Sequence, residues 1–120
     1  MKQVIVIRKD LKMRRGKEIA QGAHASIAFL TNKFQNNEFV LSKAEEEWVF
    51  GIFRKICVIV NSEEELLEIH RKAEEVGLVS SLIQDSGKTE FGGIPTYTCL
   101  AIGPDKPDKI DKITGHLKLY

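Results

Sequence analysis

Between residues 8 and 17 the chain gathers Arg8, Lys9, Lys12, Arg14, Arg15 and Lys17 around one acid, Asp10. The run follows an apolar stretch and leads into a segment with helical apolar spacing. A basic loop between a strand and a helix start attracts anions in three ways. Its side chains are cationic, its backbone N–H groups are free, and the helix dipole is positive at that end. Clustered cations also draw polyanions over longer range. Just inside the helix, Lys17, Gln21 and His24 fall on one face. A second polar cluster, Asp85, Ser86, Lys88 and Thr89, is packed into one short turn. On composition alone this cluster is ordinary turn chemistry, because Asp and Gly favour turns for backbone reasons.

The distribution of charge separates the basic run from simple solubility charge. Residues 1–35 hold eight basic and two acidic residues, net +6, and residues 36–75 hold five and ten, net −5. Residues 76–120 balance at five each, so the overall net of +1 conceals a strongly polar chain.

Several elements must position these residues. The near-continuous Val/Ile run at residues 3–8 predicts a strand buried on both faces, as in parallel sheets. A helix follows over residues 17–35, with Ala20, Ala23, Ile27, Leu30 and Phe34 as its expected core stripe. Gly22, inside that helix, costs about 1 kcal/mol against Ala and calls for close packing or close ligand approach. Ser42 with Glu45, and Ser62 with Glu65, have the spacing of capping boxes. They mark a short helix to residue 50 and a longer one to about residue 75, stopped by Gly77. Trp48, Val49 and Phe50 are expected to dock the short helix on the first. Residues 56–60, 79–83 and 96–102 read as further strands, with Thr98, Leu100 and Ile102 alternating against Tyr97, Cys99 and Ala101. Pro107 opens a last helix that Gly115 ends. Strands alternating with helices give one α/β domain over residues 1–120, with ligand sites at the carboxyl ends of strands.

Other chemistries are disfavoured. Gly87-Lys88-Thr89 ends like a phosphate-binding P-loop, but Leu82 stands where the earlier glycine is required, and the segment leads to a strand. His24, His70 and His116 are scattered, and Cys57 and Cys99 lie in apolar strand patterns, where they read as buried thiols. No cofactor and no metal are therefore expected. No apolar run is long enough to cross a bilayer and no targeting segment is evident, so the cytosol is the expected compartment.

Four segments carry a resemblance. They are Gln3-Val4-Ile5-Val6-Ile7-Arg8 with Asp10-Leu11-Lys12-Met13; Gly16-Lys17 through Ala20-Gln21 and Ala23-His24-Ala25; Asp85-Ser86-Gly87-Lys88-Thr89; and Thr98 to Pro104 with Ile113 to Leu119. In order and approximate spacing the whole chain resembles the type II, archaeal and eukaryotic, peptidyl-tRNA hydrolases. The resemblance implies a three-layer α/β/α sandwich around a four-stranded mixed sheet, often dimeric. It implies hydrolysis of the ester between peptide and tRNA without a metal, a role in translation, and peptidyl-tRNA as partner. The family's proposed acting residues fall on Lys17, Asp85, Thr89 and Thr98. Arg8, Lys9, Lys12, Arg14, Arg15 and Lys88 are then the expected tRNA contacts, with Gln21 and His24 supporting the site. Thr89-Glu90 and residues 92–96 depart from the family's usual Thr-Gln and Pro-Gly-Thr. Two other classes stay open at this point: a non-catalytic RNA- or protein-binding module, and a hydrolase of another small ester or amide.

Overall fold

The computed structural model describes all 120 residues. Its elements are β1 (Lys2–Arg8), a 3-10 turn (Lys9–Leu11), α1 (Arg15–Gln35), α2 (Lys43–Val49), β2 (Lys55–Val60), α3 (Glu63–Glu75), β3 (Ser80–Asp85), β4 (Thr96–Asp105) and α4 (Pro107–Thr114). The four strands form one mixed sheet in the order β2-β1-β4-β3. β1 runs parallel to β2 and antiparallel to β4, and β3 is antiparallel to β4. The carboxyl ends of β1, β2 and β3 therefore share one edge of the sheet.

Alternation along β1 divides its side chains between two cores. Val4 and Val6 pack with Val58, Val60, Leu66, Ile69, Leu100, Ile102, Ile110 and Ile113 beneath α3 and α4. Ile5 and Ile7 pack with Met13, Ala25, Cys99 and Ala101 beneath α1. The architecture is thus a three-layer α/β/α sandwich, and β1 is buried on both sides along its whole length.

The caps behave as their spacing predicts, with one difference. Ser42 and Glu45 form both bonds of a capping box. Ser62 accepts from the Glu65 N–H, but the Glu65 carboxylate accepts from Asn61 instead of closing the second half. Trp48 docks α2 edge-on against Phe29 of α1, and its indole N–H donates to the Arg54 carbonyl. Phe50, expected in the same contact, is exposed.

Two expectations are corrected. The buried face of α1 carries Gln21, Gly22, Ala25, Ala28 and Phe29, whereas Ala20, Ala23, Ile27 and Phe34 are exposed and Leu30 is half-buried. The reason is close approach. A Cβ on Gly22 would stand 3.8 Å from Ile5 and 3.9 Å from Ile7, so small residues let α1 lie down on the sheet. The larger apolar side chains Ile19, Ile27 and Leu30 instead wall a groove of about 680 Å³ between α1 and β2. Cys57, expected to be buried, is exposed on that groove, and only Cys99 lies in the core.

The chain's last residues run along the outer edge of β2. Ile59 N–H donates to the Lys118 carbonyl and Tyr120 N–H to the Cys57 carbonyl, while Tyr120 O–H donates to Glu18 on α1. This pairing covers an edge that would otherwise offer unpaired backbone groups.

Candidate active site

The start of α1 and the end of β3 bring Lys17 and Asp85 together. Lys17 Nζ donates to Asp85 Oδ1 at 2.8 Å and to Thr89 Oγ1 at 2.7 Å. Both charged side chains are largely shielded, at 14% and 12% exposure, so their attraction is screened less than at an open surface. The Gly87 N–H donates to Asp85 Oδ2 at 2.9 Å. Gly87 holds φ +82, and a Cβ there would meet the Ile94 carbonyl oxygen at 2.1 Å. No other residue fits that turn without moving the loop that carries Thr89.

The Lys17 hydrogen bond is the main force holding the Asp85 carboxyl below its ordinary value; burial opposes it, and the Gly87 N–H and the nearby His24 assist. Asp85 is accordingly an anionic anchor and an acceptor, and a weaker base than an unperturbed carboxylate. The Phe91 ring lies 5.9 Å from Lys17 Nζ, giving the ammonium an aromatic wall.

Thr98 reaches this cluster indirectly. It is fully buried, and its hydroxyl donates to Gln21 Oε1. Gln21 Nε2 in turn faces Asp85 Oδ1 at 3.4 Å. A register shift in the β3–β4 pairing explains how Thr98 comes to face α1. Cys99 pairs with Ile83 and Tyr97 with Gln84, which leaves Thr98 as the extra residue of a bulge. Strict alternation would have turned it toward α3 and α4 with Leu100 and Ile102. Thr98 thus orders Gln21 and does not itself line the opening.

The expected tRNA contacts disperse. Arg8 is a correction: it is buried, its guanidinium grips Asp10 through two hydrogen bonds, and it also donates to the Tyr97 carbonyl. Three of its five N–H donors are committed inside the fold, and the side chain is only 11% exposed, so it turns inward rather than toward a phosphate outside. Arg14 is 83% exposed and pairs with Glu90 Oε1 at 2.9 Å across the mouth of the site. Lys88 is exposed on the turn after β3. Arg15 leans over the apolar groove, while Lys9 and Lys12 line a separate cleft near the ends of β1 and β2. His24 is exposed, and its side chain makes no hydrogen bond to the cluster. Sequence reasoning places Glu90 beside the site as a departure from the family pattern, but misses its ion pair with Arg14 and misses Phe91 altogether. Their proximity to Thr89 was the available signal.

No three His, Cys, Asp or Glu side chains converge as a metal-ligating group. What the arrangement offers is a fixed ammonium that bridges a carboxylate with acceptor capacity left and a hydroxyl. That is equipment for water attack on a carbonyl with stabilisation of the resulting oxyanion.

Comparison with known proteins agrees with this chemistry. The family model described as Peptidyl-tRNA hydrolase PTH2 matches residues 1–120. A peptidyl-tRNA hydrolase of Methanocaldococcus jannaschii is 51% identical, covering 99% of this chain and 99% of the relative. One from Methanothermobacter thermautotrophicus is 48% identical, again at 99% of each chain. A probable peptidyl-tRNA hydrolase 2 of Dictyostelium discoideum is 45% identical over 99% of this chain and 54% of its own length. A solved Agrobacterium protein of unknown function shares the fold at TM-score 0.64 and 14% identity, covering 99% of this chain and 96% of that one.

Proposed function

The chain belongs to the PTH2 family of peptidyl-tRNA hydrolases and hydrolyses the ester joining peptide to tRNA; on that premise we propose that Lys17, Asp85 and Thr89 carry the reaction and that Thr98 and Gln21 position them. The observation that carries this assignment is the bridge of Lys17 Nζ to both Asp85 and Thr89 at the helix start.

A water accepted by the free lone pair of Asp85 Oδ2 adds through its oxygen to the ester carbonyl carbon. The carbonyl oxygen becomes an oxyanion beside the Lys17 ammonium and the Thr89 hydroxyl, donors already in place and costing no reorganisation. Collapse breaks the bond to the ribose oxygen, which leaves with the proton given up by the water. The products are a peptide acid and a tRNA hydroxyl. The depressed Asp85 carboxyl makes its part chiefly orientation of the water and of Lys17. No strong nucleophile stands in the site, so direct water attack is favoured over a covalent intermediate.

Metal independence is part of this reading, supported by the absence of any converging ligand group. Peptide release from peptidyl-tRNA by the purified protein tests it: activity persists in chelator. Loss that a divalent ion restores would overturn it, once magnesium held by the tRNA is controlled for.

Arg14, Arg15, Lys88, Lys9 and Lys12 are proposed to bind tRNA phosphates, which position a substrate without reading its sequence. A homodimer is proposed at the apolar groove, where exposed Ile19, Ile27 and Phe53 favour a second copy. No helix is long and apolar enough to cross a membrane, and a substrate made in translation favours the cytosol as the working compartment.

A further inference from the structure

The carboxyl ends of β1 and β2 flank a cleft of about 590 Å³ that the hydrolytic site does not use. Its walls come from four parts of the chain: Lys9 and Lys12 after β1, Asn61 after β2, Glu65 on α3, and His116 and Lys118 from the C-terminal segment. Only two of the nine lining residues are hydrophobic. Lys9, Lys12, His116 and Lys118 take part in none of the ion pairs of the fold. The two carboxylates of the cleft are both engaged. Asp10 is gripped by Arg8, and Glu65 accepts from the Asn61 N–H. Three unpaired lysines meet here against one uncompensated carboxylate, Glu65, because Asp10 is neutralised by Arg8, and the resulting positive balance is what an anion site needs.

Its position says which anion. With the order β2-β1-β4-β3, the cleft lies roughly 12 Å along the sheet edge from Asp85, taking about 4.8 Å per strand. A stacked nucleic-acid strand advances about 3.4 Å per nucleotide, so this span corresponds to roughly three or four nucleotides. The cleft opens on the edge that carries the hydrolytic site, and the C-terminal segment holds its far wall in place by pairing with β2.

We propose that this cleft is a second phosphate-binding site, holding the RNA strand of the substrate a few nucleotides upstream of the scissile ester. The inference rests on the peptidyl-tRNA reading above and deepens it by assigning the His116–Lys118 segment a part in substrate binding. A phosphodiester oxygen is held between the Lys12 and Lys118 ammonium groups, with His116 and the Asn61 amide as further donors.

The test compares two substrates on the same folded preparations. One is peptidyl-tRNA; the other is an N-acetyl-aminoacyl ester of adenosine, which has the ester but no upstream phosphate. For Lys12→Gln/Lys118→Gln, KM for peptidyl-tRNA rises about tenfold while kcat is kept. The slope of log(kcat/KM) against log[salt] becomes shallower by about 1 for each lysine lost. The loss on the adenosine ester is several-fold smaller than on the tRNA. Lys12→Arg/Lys118→Arg, which keeps both charges, restores the affinity and shows that the Gln variant did not merely misfold. An unchanged salt slope, or equal losses on the two substrates, overturns the proposal while leaving the hydrolytic site intact. An unmutated protein that cleaves the adenosine ester but not peptidyl-tRNA would instead overturn the tRNA reading and this inference with it.

Discussion

Helix α1 has two working faces, and they are built by opposite rules. The face toward β1 and β4 is made of Gln21, Gly22, Ala25, Ala28 and Phe29, small or polar for the most part, and it is buried. The flank toward β2 carries Ile19, Ile27 and Leu30, which are apolar and open on a groove. Close approach of backbone to sheet is what fixes Lys17 and Gln21 opposite Asp85 within hydrogen-bonding reach. Bulk on that face would lift the helix and pull the site apart. The apolar flank has no such constraint, so its larger side chains remain available for association. On the proposed mechanism, chemistry depends on the quiet face and not on the conspicuous hydrophobic one.

The sharpest way to break this division is at the polar face. Asp85→Asn removes the anionic acceptor and the partner of Lys17 while nearly preserving shape. Turnover falls by about a hundredfold or more, the scale of losing a positioned proton acceptor. Single-turnover hydrolysis alongside binding of uncleaved peptidyl-tRNA separates the two effects, and full turnover would remove Asp85 from the reaction. Thr98→Val tests the layer behind it. The Gln21 amide oxygen is left without its donor in a buried place, which costs about 1–3 kcal/mol of stability. kcat drops about tenfold with KM little changed, and Thr98→Ser restores most of it; a Val variant with normal kcat would confine Thr98 to the fold.

The flank is expected to respond in the reverse manner. Ile19→Lys with Ile27→Lys abolishes the proposed dimer in sedimentation or light scattering, yet changes turnover by no more than about twofold. A dimer that survives, or turnover that collapses with it, would erase the distinction between the faces. The smallest effect is in acid. Asp85 has a folded carboxyl value held below the ordinary 3.8, so its contribution to stability is fully present above that value. It disappears as pH falls through the depressed value. Melting temperatures of the unmutated protein and Asp85→Asn therefore converge only well into acid. Convergence already above pH 4 would mean that the Lys17 contact does not hold the carboxylate in solution.

Local signals in the sequence translated well into structure. The doubly buried β1 and the Ser42–Glu45 capping box depend on neighbours within a few residues, and both formed. Proline at the start of α4 and the polar turn after β3 are of the same kind. The buried face of α1 was not legible, because a helix that packs through Gly22, Ala25 and Ala28 leaves no hydrophobic period to mark it. The apolar period that is visible belongs to the groove. Arg8 was counted with the basic run, although Asp10 two residues on was a nearby acid able to claim it. The three residues bridged at the site were in the expected set, since the resemblance supplied them. That Thr98 reaches Asp85 only by way of Gln21 follows from a register shift between distant strands, which no single stretch of sequence announces.

That shift has a consequence for how the chain can change in length. Removing one residue between Tyr97 and Cys99 would regularise the ladder, and as a sheet the product could be the sounder one. It would also remove the Thr98 hydroxyl and leave the buried Gln21 amide oxygen without its donor. Selection for a better-paired sheet and selection for turnover therefore pull against each other at this position, and an engineered or inherited deletion here would yield a protein that folds but turns over poorly.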